Sequence, residues 1–328
     1  MKEMIVIGAD ISKATIDLYS KPLGSSTVFE NTVKGFKAWL HELKKVSTPD
    51  TDLLVVMEHT GRYSRKFENF LSSNKIGYCK VPALQIKRSM GLVRGKSDKI
   101  DAKRIAEYAW MRRDILIADQ QVCPDITTLK DLWSLRSKLV RDRSGYMNRL
   151  KEMKATELKA DPFTENIHKN YIKQFTQDIL QVEEKIKATI NSNTELQKNF
   201  ELICSIKGVG LIVATYMLVT TNNFEKFDNA RKFNCYAGIA PFKYESGTSI
   251  KGRSRVSHLA NKAAKTLLNM SACIAIRYNP ELKNYYQKRV AEGKRKMSCL
   301  NIIRSKIVAR MFAVVRRQSP YEELALTA

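Results

Sequence analysis

Met4-Ile5-Val6-Ile7-Gly8-Ala9-Asp10 is a short apolar run closed by a carboxylate, and a run of that length and composition reads as a strand. A second run of the same kind, Leu53-Leu54-Val55-Val56-Met57-Glu58, also ends on an acid. Asp98 and Asp101 lie three apart at the start of a helical pattern, so both can face one side. Working outward from the first run, residues 15–20 read as a second strand after a tight turn, and 27–32 as a third. A helical pattern follows at Val33, Phe36, Trp39, Leu40 and Leu43, and another at Tyr63, Phe67, Phe70 and Leu71, before a short strand at 77–81. Three strands in succession, then alternating helix and strand, predict an α/β domain with helices packed on a mixed sheet.

The four acids matter because of the charge around them. The chain has 328 residues, 57 Lys+Arg and 33 Asp+Glu, a net charge of +24. Such a surface repels cations and attracts polyanions, so a few carboxylates at element ends would form a local trap for Mg²⁺. That combination suits metal-assisted chemistry on phosphodiesters. The charge is uneven: residues 1–118 carry +8, 119–200 carry +2 and 201–328 carry +14. The last third is therefore the expected phosphate-contacting region. A ribosomal or membrane-surface protein could share this balance.

An apolar content of 44% with 14 Gly and 8 Pro argues for a folded chain of two or three domains. The six cysteines are scattered without a C-x-x-C pair, and the four histidines do not cluster with them. Neither a zinc site nor a disulfide framework is expected, which fits a reducing cytosol. No signal-peptide core and no membrane-length apolar run is present, so a cytoplasmic protein with no membrane partner is expected.

From residue 125 to 190 the pattern becomes that of two long helices. Leu132, Leu139 and Tyr146 recur every seven residues, and after Asp161-Pro162 the residues Ile172, Phe175, Ile179, Val182 and Ile186 alternate spacings of three and four. This predicts an antiparallel coiled-coil hairpin, either a domain link or a dimer stalk. Beyond it the chain reads as mostly helical. Ile206-Lys207-Gly208-Val209-Gly210-Leu211 looks like the turn of a helix-hairpin-helix, in which backbone N–H groups grip a phosphate; an ordinary inter-helix turn would carry it too. Arg304, Lys306, Arg310, Arg316 and Arg317, interleaved with Ile302, Ile303, Ile307, Val308, Met311 and Val314, predict an amphipathic helix whose apolar face is core and whose basic face contacts nucleic acid; a calmodulin-like target helix is the other reading.

Each acid also has an ordinary explanation. Asp10 could begin a turn, Glu58 could be a solvated strand end, and Asp98 with Asp101 could form an N-cap pair. Ser246-Gly247 could be a plain loop turn, and Lys251, Arg253 and Arg255 a solvated basic loop.

The motifs taken together, however, are specific. Ile7-Gly8-Ala9-Asp10-Ile11-Ser12-Lys13, Glu58-His59-Thr60-Gly61-Arg62-Tyr63 and Lys96-Ser97-Asp98-Lys99-Ile100-Asp101-Ala102 resemble the D-E-D-D signature of the insertion-sequence 110 family of transposases. Downstream, Gly238-Ile239-Ala240-Pro241, Glu245-Ser246-Gly247-Thr248-Ser249-Ile250-Lys251-Gly252 and Arg255-Val256-Ser257 resemble that family's C-terminal domain.

The resemblance covers nearly the whole chain. It implies a RuvC-like (RNase H fold) domain at 1–120, a coiled-coil hairpin at 121–193 and a C-terminal transposase domain at 194–328. It implies that Asp10, Glu58, Asp98 and Asp101 hold Mg²⁺, with Mn²⁺ as a substitute. Ser246 would be a nucleophile that forms a transient phosphoserine–DNA linkage, in a site composed across protomers of a homodimer that assembles to a tetramer. Lys207, Gly208, Gly210, Lys251, Arg253, Arg255 and Lys265 would contact nucleic acid. Donor and target DNA, selected by a structured noncoding bridge RNA, are the implied partners, in the bacterial cytosol or nucleoid. One stretch departs from the family pattern: Ser257-His258-Leu259-Ala260-Asn261 and then Ala264-Lys265, where many members carry a Leu-Arg pair. Lys265 keeps the charge and loses a bidentate phosphate fork. Two other readings stay open, a Mg²⁺-dependent resolvase of Holliday junctions that hydrolyses without the serine, and a noncatalytic nucleic-acid-binding factor.

Overall fold

The computed structural model describes residues 4–48, 51–59, 61–91, 97–119, 123–155, 161–247 and 250–323. The chain divides into two compact units, Met1–Gln121 and Val122–Ala328.

The first unit contains β1 (Met4–Ile11), β2 (Thr15–Lys21), β3 (Ser26–Glu30), α1 (Val33–Val46), β4 (Asp52–Glu58), α2 (Arg65–Ser73), β5 (Gly77–Val81), α3 (Ala83–Ser89) and α4 (Asp98–Met111). The sheet runs β3-β2-β1-β4-β5. β1, β2 and β3 form an antiparallel meander, while β4 and β5 join in parallel with β1 through helical crossovers. This mixed sheet fits an RNase H-like domain. β3 ends two residues earlier than the sequence predicts because Thr32 caps α1, its side chain accepting from the Gly35 N–H.

Both faces of β1 are covered, which is why Ile5 through Ala9 are all buried. On one face, Phe36 and Trp39 of α1 and Phe67 and Leu71 of α2 pack on Ile5, Ile7, Val55 and Met57. Phe36 and Phe67 have ring centroids 5.2 Å apart, and Phe29 stacks on Trp39 at 5.8 Å. On the other face, Ile105, Tyr108 and Ala109 of α4 pack on Val6, Leu54 and Val56. α4 reaches the sheet backbone at Gly8: a Cβ there would lie 2.3 Å from both the Ala102 carbonyl oxygen and the Ala106 nitrogen.

The second unit contains α5 (Pro124–Ala155), α6 (Pro162–Asn191), α7 (Thr194–Cys204), α8 (Leu211–Thr221), α9 (Ala230–Tyr236), β6 (Phe242–Ser246), β7 (Ile250–Arg255), α10 (Lys262–Tyr278), α11 (Pro280–Ala291) and α12 (Lys296–Arg317). α5 and α6 run antiparallel, as their contacts show: Arg136 Nε lies 2.6 Å from Glu183, Arg143 donates to Thr176, and Tyr146 packs on Tyr171 and Phe175. At their base, Ile126, Leu129, Ile186 and Ile190 join the core formed by α7 to α12.

α12 corrects one expectation. Ile303, Ile307, Val308, Met311 and Val314 face the core as predicted, but Arg304 is buried among them at 3% exposure. It donates to Asn301 and Asn269, and burial lowers its pKa. Arg310 is paired with Glu281 at 2.6 Å. Helices pack on α12 over a wide arc, so of the arginines read as a solvent-facing stripe Arg304 is buried and Arg310 is half-buried in an ion pair.

The close approach at Gly8 yields a first prediction. Gly8→Ala must push α4 off the sheet, and it should cost about 3 kcal/mol or more in chemical denaturation of the full chain. An unchanged denaturation midpoint would show that α4 does not rest on this glycine.

Candidate active site

The parallel ladder pairs Ala9 with Met57. One residue further on, Asp10 and Glu58 therefore lie on adjacent strands, about 5 Å apart. Alternation sends both toward α4, because Val6 and Val56 already face it. The sequence left open whether these strands are neighbours; the sheet order makes them so.

α4 starts with its own cap. Ser97, not Asp98, is the N-cap: its side chain accepts from the Ile100 N–H at 3.3 Å. Asp98 and Asp101 are left in the first helical turn, and Asp101 accepts from Arg104 at 2.8 Å. The N-cap reading of Asp98 is thus replaced by a cap one residue earlier.

The carboxylates act on one another. Burial pushes the Asp10 carboxyl up from 3.8 to about 6, reinforced in turn by the negative charges of Asp98, Asp101, Glu58 and Asp17. Asp17, on β2, is the ladder partner of Asp10, and burial with the charge of Asp98 raises its pKa as well.

Among the described residues, no three His, Cys, Asp or Glu side chains stand close enough together to grip an ion. Carboxylate oxygens are the donor type a hard divalent cation takes, but in this structure the four acids do not form a ready-made metal cluster. Asn31 is a supporting residue that pattern reading missed. It is buried, and its amide donates to the Ser12 and Tyr63 carbonyls, tying the β1–β2 turn to the loop after Glu58.

In the second unit, Ser246 ends β6 opposite Ile250, on a two-stranded ribbon whose β6 residues are all exposed. Arg253 and Arg255 are exposed on β7, and Lys251 is the ladder partner of Glu245. Thr248 and Ser249 of the quoted motif, like Thr60 and Lys96, lie outside the described residues. Asn261 caps α10 by accepting from the Ala264 N–H at 3.0 Å, which sets Lys265 in the first turn.

Lys207, Gly208 and Gly210 form the turn between α7 and α8. Gly208, at φ +96°, is pressed inward, where a Cβ would lie 2.6 Å from the Ser271 carbonyl oxygen. Gly210 is the exposed N-cap of α8 and provides no side-chain cap. Lys207 Nζ lies 3.0 Å from Glu323, a contact that an incoming phosphate must displace.

A transposase family model of the DEDD, IS110 type matches residues 7–153, and the model of the "Transposase IS116/IS110/IS902 family" matches residues 200–287. The chain belongs to the IS110 family of transposases. The first match spans all four carboxylates, and the second spans Lys207 through Lys265 with Ser246 between them. The "pilin gene-inverting protein" of Moraxella bovis is 24% identical over 97% of both chains, and its namesake from Moraxella lacunata is equally similar. A protein of insertion element IS110 from Streptomyces coelicolor is 30% identical over 42% of this chain and 34% of its own. As an IS110-family member, the protein is an enzyme of DNA transposition and recombination.

The raised pKa of Asp10 predicts a pH dependence whose sign is fixed. Its folded value lies above the unfolded one, so its contribution to metal-free stability is complete below about pH 4 and is lost as pH rises through about 6. A divalent ion held by Asp10 would bind its ionised form. Mn²⁺ affinity, measured by titration calorimetry at constant ionic strength, should rise about tenfold per pH unit up to about pH 6 and then level off. A flat profile between about pH 5 and about pH 7 would contradict this.

Proposed function

We propose that this IS110-family transposase is a site-specific recombinase that moves an insertion sequence by a phosphoserine pathway. The carrying observation is that the negative charges of Asp98, Asp101 and Glu58 all act on Asp10, in a chain whose other unit presents Ser246 on an exposed ribbon. Asp10, Glu58, Asp98 and Asp101 would hold Mg²⁺, which when bound supplies Lewis-acid activation and charge neutralisation at the scissile phosphate.

Ser246 Oγ then attacks a DNA phosphorus. Its O–H proton is given up as the new Oγ–P bond replaces a phosphodiester P–O bond, and the departing strand leaves as an alkoxide that takes up a proton in exchange. Attack by the hydroxyl end of another strand reverses the step and frees the serine. The bond energy stays in the ester throughout, so rejoining needs no ATP. Arg253 and Arg255, with Lys251, Lys265, Lys207 and the amides at Gly208 and Gly210, would neutralise backbone phosphates, in line with the +14 charge of residues 201–328.

The remaining elements of the proposal rest on kinship. Three functional segments, 1–120, 121–193 (a coiled coil) and 194–328, would assemble as a homodimer and then a tetramer, so that one protomer's serine can meet another's carboxylates. Donor and target DNA would be chosen by pairing with a bridge RNA, the protein reading backbone shape. The names of the Moraxella relatives, which invert a pilin gene, support rearrangement between defined sites. Among the described residues no helix is long and apolar enough to cross a membrane, which is compatible with action on DNA in the bacterial cytosol.

The test is an adduct trap. With Mg²⁺, DNA and guide RNA, the protein should form a DNA–protein species that survives denaturation. Ser246→Ala should abolish it and lower strand exchange by about 10³-fold or more, while Asp10→Asn should abolish cleavage. Cleavage at full rate in Ser246→Ala would overturn the serine pathway in favour of resolvase-like hydrolysis.

A further inference from the structure

The ribbon that bears Ser246 holds its aromatic rings out in water: Tyr244 is 69% exposed and Phe242 48%. Tyr244 is directly opposed to Gly252, Glu245 to Lys251 and Ser246 to Ile250. Alternation therefore puts Tyr244 and Ser246 on one face of the ribbon, about 7 Å apart along β6. Gly252 makes room for the ring: a Cβ there would lie 2.8 Å from Tyr244 Cδ1 and 3.4 Å from Tyr244 Cβ. Gly252 does not have a positive φ, so what it supplies is space and not an unusual backbone. The ring leans across the opposite strand and still keeps most of its surface open.

The ribbon is also firmly mounted. Before β6 the Ile239 N–H donates to the Asn234 carbonyl at 2.9 Å, and after β7 the Asn261 N–H donates to the Tyr236 carbonyl at 2.8 Å, so both ends are tied to α9. Its charge selects a polyanion. Between Phe242 and Arg255 stand Lys243, Lys251, Arg253 and Arg255 against the single acid Glu245. Basic side chains bind phosphates without help from a ring. What a ring adds is a flat face on which a base can stack, and a base offers its own face only when it has left its neighbours.

We infer that Tyr244 is a base-stacking platform of this ribbon, taking the face of an unpaired DNA base beside the phosphate that Ser246 attacks. The spacing of the two side chains matches the reach from a phosphate to the base of its own nucleotide. Stacking would hold that nucleotide so that its phosphate stays over the serine. The inference rests on the serine reading, which is what brings DNA to this face, so binding is measured apart from cleavage.

The full-length chain is titrated, without Mg²⁺ so that no strand is cut, into a fluorescein-labelled single-stranded DNA of about 20 nucleotides. Its duplex and the same sequence as RNA are titrated alongside, each at several KCl concentrations. Tyr244→Ala should weaken single-stranded DNA binding about tenfold and leave duplex binding within about twofold. The slope of log K against log salt should not change, because no phosphate contact is lost. Tyr244→Phe should keep the affinity, and in Tyr244→Trp the introduced indole should be quenched as DNA is added. Tyr244→Leu, which still covers Gly252 but has no π-face, should bind as weakly as Tyr244→Ala. Full single-strand affinity in Tyr244→Ala, or a loss that Tyr244→Phe shares, would overturn the platform. Full affinity in Tyr244→Leu alone would reduce the ring to a prop of the ribbon, and a loss confined to RNA would overturn the assignment to DNA. Full-rate cleavage by Ser246→Ala with the Tyr244 pattern intact would cost the serine pathway and leave the platform standing.

Discussion

The seating of α4 on the backbone of Gly8 is the contact from which the arrangement of acids follows. Gly8 lies two residues before Asp10, and the helix that rests on it begins with Asp98 and Asp101. A side chain at Gly8 would hold the helix away and pull two carboxylates from the other two. The parallel β1–β4 ladder then supplies Glu58, and the antiparallel β1–β2 ladder sets Asp17 opposite Asp10. Backbone packing therefore concentrates negative charge inside an otherwise basic chain. The raised pKa of Asp10 reflects that concentration together with burial.

Much of the sheet was legible because its strands are apolar runs bounded by polar turns. β5 falls at residues 77–81 as the pattern predicts, and β1 runs only one residue past Asp10. The long helices were legible too, since Asp161 and Pro162 form a recognisable helix start: the Asp161 side chain accepts from the Thr164 N–H. What the pattern could not supply was the pairing of strands. Asp17 sits in the alternation Thr15-Ile16-Asp17-Leu18, where an acid reads as solvent-facing. Its place opposite Asp10 appears only in the register of the two strands. Asn31 was hidden for a similar reason, since its two carbonyl partners are distant in sequence.

Charge was the less reliable guide in the helical unit. Arg304 and Arg310 fit a basic stripe by spacing, yet one is buried and the other is paired with Glu281. A buried guanidinium held by two asparagines, with its Nε left without a partner, adds little to the surface field. The charge available to DNA is accordingly smaller than the formal count for residues 201–328, and it lies on exposed elements such as β7. Ser246 has the opposite character. It stands on a ribbon with little packing of its own, so its reach depends on the helices that anchor the ribbon's two ends.

The anchoring helices also set an order of assembly. α12 gives Ile303, Ile307, Val308, Met311 and Val314 to the core that supports α7 to α10, and the Tyr321 N–H closes onto Ser205 Oγ at 2.8 Å. The sheet-bearing unit is complete by residue 121, so during translation it can fold while the ribosome is still making the rest. The serine ribbon gains its full support only after α12 has emerged. A nascent chain thus carries its acids long before the ribbon that bears Ser246 is properly mounted, and a prematurely terminated product would lack a stable platform for that ribbon.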